Sequence, residues 1–171
     1  MRLFIIDSRE HAKAIKGIKK YFDDHGINYF VSKLLFGDYM DYNHPGVVID
    51  RKQNIGELSK NCTTEHVRFR AEFERAKTAG AKLIVLVEQN RFRDRGEDVR
   101  VETVDDLMRW SATHKTRDGR EVTIRGEKIY RVLVSWMAKY PLEVRFCDKR
   151  STGRVITEIL TGSAEEIDGR R

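Results

Sequence analysis

Two acids and a lysine carry the clearest chemical signal in the sequence: Asp38, directly after Gly37, and the triplet Asp50-Arg51-Lys52. Positions 39 to 49 separate the two aspartates, room for a tight hairpin that returns the first carboxylate to the second. Val47, Val48 and Ile49 form a β-branched run behind the turn signal Pro45-Gly46, which predicts a strand ending in the triplet. Side chains alternate along a strand, so Val48, Asp50 and Lys52 share one face while Val47, Ile49 and Arg51 share the other. Paired carboxylates can hold a hard divalent cation through oxygen, and a neighbouring lysine can orient or deprotonate a water bound to it. Each piece alone has an ordinary explanation, since Gly37-Asp38 is a common turn and Asp-Arg-Lys a common solvated strand exit.

The surrounding elements must bring these residues together. Leu3 to Ile6 reads as a first strand ending at Asp7, followed by a helix from about Arg9 to Asp24 with Ala12, Ile15, Ile18 and Phe22 on one face and Gly26 as its stop. Asn28 to Leu35 reads as a second strand, paired through the turn around Gly37 with the strand at Val47 to Arg51. A short helix over Ile55 to Asn61 and a longer one over Glu65 to Ala79 follow, the latter presenting Phe69, Phe73 and Ala76 and closed by Gly80. Lys82 to Glu88 is apolar through its middle without alternation, as in a central strand covered on both faces. Arg91 to Arg100 reads as a charged loop, Thr103 as an N-cap for a short helix carrying Leu107 and Trp110, and His114 to Glu121 as a loop or hairpin turn centred on Asp118-Gly119. An amphipathic helix over Gly126 to Tyr140 presents Ile129, Val132, Leu133, Trp136 and Met137, before a last strand over Glu143 to Cys147 and a last helix over Thr152 to Leu160. The alternation predicts an α/β fold with three layers, α/β/α, around a central mixed sheet. Residues 1–160 are expected to form one domain, with a motif-bearing core over 1–90 and a C-terminal elaboration over 91–160, and the polar tail from Thr161 to Arg171 to be disordered.

Composition narrows the partners. Lysine and arginine total 33 against 27 acids, a formal charge of +6 over 171 residues, which favours a polyanionic partner. No apolar run approaches the roughly 20 residues that span a bilayer, which argues against a membrane, and the first residues reach an acid too soon for a secretion signal. Cys62 and Cys147 form neither a metal quartet nor a disulfide framework, so they read as inert packing residues in a reducing, cytoplasmic setting.

Three ordered motifs make the signal specific: Ile5-Ile6-Asp7-Ser8-Arg9-Glu10 after the first strand, Gly37-Asp38-Tyr39, and Val48-Ile49-Asp50-Arg51-Lys52. Together they resemble the nuclease domain of the XPF family, within the PD-(D/E)xK superfamily, whose pattern is Asp-x-Arg-Glu, then Gly-Asp, then Glu-Arg-Lys-x-x-x-Asp. The later helix with Phe69-Arg70 and Glu72-Phe73 and the strand ending Leu86-Val87-Glu88 also resemble that family, so the likeness covers about the first 90 residues. Beyond Arg91 the chain looks more like small stand-alone bacterial and phage members. Two departures stand out: Asp50 replaces the family's glutamate, and its trailing aspartate falls at Gly56, with Glu57 one residue on. No tandem helix-hairpin-helix region is evident.

The resemblance implies metal-dependent hydrolysis of DNA phosphodiesters, on branched or flap DNA, in repair or recombination. Asp38, Asp50 and Asp7, with the Arg51 carbonyl, would ligate Mg²⁺ or Mn²⁺, and Glu10 would add acidity near it. Lys52 would position the attacking water or offset charge in the transition state; Arg9 and Arg51 would contact phosphate or brace the carboxylates. Taken alone, Arg9-Glu10 is better explained by an ordinary ion pair at a helix start, and Glu88 at its strand exit would face the same site. Arg91, Arg93, Arg95, His114, Lys115, Arg117 and Arg120 could line a groove for the nucleic-acid backbone, although acids interleave with them as in a solvated loop. The resemblance also implies a homodimer. A catalytically inactive DNA-binding or scaffold module on a nuclease fold is the competing class, and retention of Asp38, Asp50 and Lys52 together argues against it.

Overall fold

The computed structural model describes residues 2–162. The first half of the chain forms strands β1 (Leu3–Asp7), β2 (Asn28–Ser32), β3 (Tyr39–Asp41), β4 (His44–Lys52) and β5 (Lys82–Val87). Two separate hairpins follow, β6 (Arg91–Asp94) with β7 (Glu97–Arg100) and β8 (Ser111–Lys115) with β9 (Glu121–Arg125), before β10 (Leu142–Phe146) returns to the main sheet. The sheet order is β10-β5-β4-β3-β1-β2, and every strand runs in one direction except β3. The carboxyl ends of β1, β4 and β5 therefore meet the amino end of β3 at one edge of the sheet.

Helices cover both faces, which gives the three-layer α/β arrangement. On one side α1 (Lys16–Asp24) and α5 (Thr152–Thr161) bury Ile18, Phe22, Ile156 and Ile159 against Phe4, Ile6, Tyr39, Ile49, Ile84 and Leu86. On the other, α2 (Ile55–Cys62), α3 (His66–Thr78) and α4 (Gly126–Met137) bury Leu58, Phe69, Phe73, Ile129 and Leu133 against Val48, Leu83, Val85 and Val87. The apolar stripes expected on α3 and α4 do face the sheet, and Phe69, Phe73 and Trp136 meet edge-on there. Strand β5, buried on both faces, lies between β4 and β10 as its unbroken apolar run predicts. Cys62 and Cys147 are buried free thiols, and burial pushes them up to about 12 and about 11. Among the described residues no helix is long and apolar enough to cross a membrane.

Several sequence expectations need correction. The first helix begins at Lys16, not Arg9: residues 8 to 15 form successive turns, with the His11 carbonyl accepting from Ala14 and Ile15, and Ala12 is exposed. Helix geometry there would carry Arg9 and Glu10 away from the sheet edge, where both make side-chain bonds described below. The second strand stops at Ser32 and pairs in parallel with β1 at the sheet edge; the hairpin partner of β4 is instead the short β3. Its turn is Tyr42-Asn43, fixed by the Asn43 amide donating to Asp41 Oδ1 at 2.9 Å. Pro45 and Gly46 lie inside β4 and not before it, because the register jumps from Asp41–His44 to Met40–Val48 and leaves Pro45 opposite no β3 residue. Residues 91 to 100 are not a loop but the β6–β7 hairpin: Phe92 and Val99 pair across it into the core, and Arg95 and Gly96 take the positive φ values its turn requires. The second hairpin does turn at Asp118-Gly119, and Thr103 does cap a short 3₁₀ helix, with Asp106 completing a capping box. Of the tail expected from Thr161 onward, residues 163–171 lie outside those described.

Candidate active site

The turn before β3 brings Asp38 to the end of β4. Its amide donates to the Ile49 carbonyl at 2.7 Å, and its Oδ2 accepts from the Arg51 amide at 2.7 Å. The turn depends on Gly37, whose φ is +68° and where a Cβ would stand 2.4 Å from Val48 Cγ1. Asp38 is thereby fixed against the strand that carries Asp50 and Lys52.

Alternation along β4 then divides its last residues between two environments. Asp50 and Lys52 are buried on the α3 side, where Lys52 Nζ lies 2.8 Å from Asp50 Oδ2 and 4.9 Å from the centre of the Phe69 ring. Lys52 Nζ also donates to Asp50 Oδ1, at 3.1 Å. Burial, then the charges of Asp50 and Glu10, push Asp38 well above the usual carboxylate range. Burial opposes the charge on Lys52, but Asp50 outweighs it and holds the ammonium above its ordinary value.

Arg51, on the other face, is enclosed in a network. Its Nε donates to Glu10 at 2.7 Å and its Nη1 to Glu88 at 2.8 Å, and Tyr39 also donates to Glu10, at 2.9 Å. Arg9 does not pair with Glu10: its guanidinium and amide turn back to Asp7. Asp7 also accepts from the Leu34 amide at 2.6 Å, so both of its oxygens are engaged. Burial would raise Asp7, but these donors overcome it and hold the carboxyl below its usual value.

The structure thus brings Asp38, Asp50 and Lys52 together, places Glu10, Arg51 and Glu88 in a buried brace behind them, and turns Asp7 and Arg9 toward each other. Arg91 is paired with Asp98 at 2.7 Å, Arg93 donates to the Gly96 carbonyl, and Arg120 pairs with Asp118, while Lys115 and Arg117 make no ion pair among the described residues. Glu57 starts α2, its carboxylate accepting from the Gln53 amide and its amide donating to Asn54.

Glu72 is the residue the sequence pattern did not single out. It is half-buried on α3, accepts from the Gly37 amide at 3.4 Å, and is raised by burial and then by the charge of Asp50. A signal does exist: Glu72 stands three residues after Phe69, on the stripe that faces the sheet, where an unpaired acid is uncommon.

Among the described residues no three His, Cys, Asp or Glu side chains group closely enough to hold a metal by themselves. The donor chemistry still fits a hard cation: two adjacent carboxylates, Asp38 and Asp50, the first raised by burial and then by the charge of the second.

Comparison with known proteins identifies the family and the fold. The ERCC4 domain family matches residues 6–159. XPF from Aeropyrum pernix, in complex with DNA, superimposes with a TM-score of 0.61 at 14% identity, over 97% of this chain and 66% of that one. A second structure of XPF from Aeropyrum pernix gives 0.60 at 14% identity, over 98% and 67%. The chain therefore spans about two thirds of the length of those proteins, and the likeness to them is one of fold. No curated protein matches the sequence. Since the family match runs from the first strand to the last helix, the chain belongs to the ERCC4 domain family, with the fold of the XPF nuclease domain.

Proposed function

We propose that the chain is a metal-dependent DNA endonuclease that hydrolyses phosphodiester bonds at the edge of the sheet where β1, β3, β4 and β5 meet. The observation that carries the reading is the convergence of half-buried Asp38 with the buried ion pair of Asp50 and Lys52 at one end of the sheet. A recognition module has no need of a lysine beside two adjacent carboxylates, whose mutual repulsion is unfavourable until a cation binds between them. Membership of the ERCC4 domain family and the fold shared with an XPF that was solved in complex with DNA support DNA as the substrate. Branched or flap DNA is the substrate class the family resemblance favours, and a homodimer the assembly.

Asp38, Asp50 and the Arg51 carbonyl would hold Mg²⁺ or Mn²⁺. When bound, the cation supplies Lewis acidity at the scissile phosphate and lowers the pKa of the attacking water. Lys52, kept charged by Asp50, offsets negative charge as it grows on the phosphoryl oxygens and orients the water; a raised ammonium is a poor base. Arg51 acts from behind. Its side chain is locked between Glu10 and Glu88, so its amide holds Asp38 and its carbonyl keeps a fixed direction.

Labelled flap, splayed-arm, four-way and linear DNAs, incubated with wild type and Asp50→Asn in Mg²⁺, Mn²⁺ or EDTA, test the reading. Metal-dependent cuts that vanish in the variant support it, and the preferred DNA names the substrate. Binding without cleavage on every DNA and metal would leave a recognition module on a nuclease fold.

A further inference from the structure

We infer that the cleft between α3 and the segment following β2 seats a backbone phosphate of the DNA strand, gripped by Lys33 and Arg75 with Arg9 as a fixed wall. The inference rests on the nuclease reading and identifies the part of the substrate held beside the scissile bond. The cleft has a volume of about 550 Å³ and is lined by Arg9, Lys33, Leu34, Leu35 and Arg75. Three of those five side chains are cationic. Asp7, Glu72 and Asp38 lie near Arg9, and Glu72 three residues before Arg75, but no acid is among the residues that line the cleft itself.

Two of the cations are uncommitted. Arg75 is half-buried at the cleft wall and makes no ion pair among the described residues. Lys33 is exposed and makes no ion pair among the described residues. Arg9 is oriented by its two bonds to Asp7 and a third to the Leu34 carbonyl. Arg9 is thereby paired, as Arg91 is with Asp98 and Arg109 with Asp94 and Glu97, so the cations left for an anion are Lys33 and Arg75, with Arg9 supplying a fixed wall.

The cleft is also coupled to the acid pair. The Leu34 amide bonds to Asp7, whose own amide bonds to the Asp38 carbonyl, and the Gly37 amide reaches Glu72 on the helix that bears Arg75. A strand whose phosphate rests here continues toward Asp38 and Asp50. Leu35 is 72% exposed and gives the cleft an apolar lip. Inorganic phosphate has no use for that lip, whereas the sugar and base of a nucleotide do.

The test is DNA binding in EDTA, measured by fluorescence anisotropy on a splayed-arm DNA over a salt series. Lys33→Gln/Arg75→Gln should lower the slope of log affinity against log salt by roughly 0.7 to 0.9 for each phosphate that is no longer neutralised. Arg75→Lys, which keeps the charge, should keep most of the slope. If the double variant loses its native circular dichroism, Lys33→Gln alone, on the exposed segment, is expected to lower the slope by about half as much. An unchanged slope in folded variants overturns the cleft while leaving the nuclease reading intact; a wild type that binds no DNA overturns both. Millimolar inorganic phosphate should displace DNA no better than an equal ionic strength of chloride, and selective displacement would make the cleft a free-anion site instead.

Discussion

Adjacent residues of β4 live under opposite conditions. Arg51 is enclosed by Glu10 and Glu88, with Tyr39 donating to Glu10. Asp50 and Lys52, one step away along the strand and on the other face, form a buried ion pair beside Asp38, whose carboxyl is pushed upward by burial and then by the Asp50 charge. A closed network of that kind makes a rigid support, because each of its carboxylates accepts a hydrogen bond from Arg51. On the other, open face Asp38 lies beside the Asp50 charge with its carboxyl raised, an arrangement that favours a cation from outside. The two faces divide the labour: one holds the geometry, and the other is left to do chemistry.

The largest stability effect should come from breaking the closed face. Arg51→Met leaves Glu10 and Glu88 buried without their cation and should cost about 3–5 kcal/mol. Urea denaturation would show a lower midpoint, and a midpoint within error of wild type would mean that the network braces nothing. On the open face, Asp38→Asn and Lys52→Met should instead slow DNA cleavage, by about 10² to 10³-fold for the lysine, which acts on transition-state charge. Rates fitted at saturating Mg²⁺ would check this.

Asp38→Asn should also stabilise the protein in EDTA, the reverse of the Arg51 effect. A carboxyl raised in the folded state makes that state bind more protons than the unfolded chain between the two pKa values, so stability falls as pH rises through the folded pKa. Glu72, raised as well, adds to the same slope. Asp7 has the opposite sign: its folded value is lowered, so its contribution is present above the unfolded pKa and disappears only in stronger acid. Thermal melts in EDTA should therefore show wild type gaining stability from alkaline toward weakly acidic pH, with Asp38→Asn flatter and higher at neutral pH. Equal slopes in the two proteins would mean that Asp38 is not strained.

The open face was legible in the sequence because it depends on local rules. Strand alternation placed Asp50 and Lys52 together, and a hairpin-length separation returned Asp38 to them. Which acids the closed face would capture was not legible. Glu10 reaches Arg51 only because residues 8 to 15 turn rather than coil, and Asp7 is withdrawn from the pair by the Leu34 amide, a bond set by how β2 leaves the sheet. Glu72 comes from a helix whose rotation is fixed by Phe69 and Phe73, so its approach to Asp50 needed the packing and not only the pattern. The β6–β7 hairpin hid behind its charges, since the alternation that shows it rests on Phe92 and Val99 alone. Gly37 is a case between: its turn was readable, but its closeness to Val48 was not. Gly37→Ala should cost on the order of 1–3 kcal/mol through the positive φ and that close approach, read from the same urea midpoints.

The smallest expected effect isolates burial from geometry. Arg51 meets Glu88 at 2.8 Å with side chains 2% and 1% exposed, and Arg91 meets Asp98 at 2.7 Å with side chains 60% and 54% exposed. Distance alone would make the two pairs equals. Solvent screens the hairpin pair, and each of its partners is well hydrated when the other is removed, so Arg91→Gln should change stability by only about 0.5 kcal/mol. That change should shrink further in high salt, whereas the destabilisation by Arg51→Met should persist, because salt screens exposed charges far more than buried ones. Paired denaturation series at low and high salt would decide between these causes. If the two substitutions proved equal in size and in salt response, the contrast between the faces of β4 would come from something other than burial.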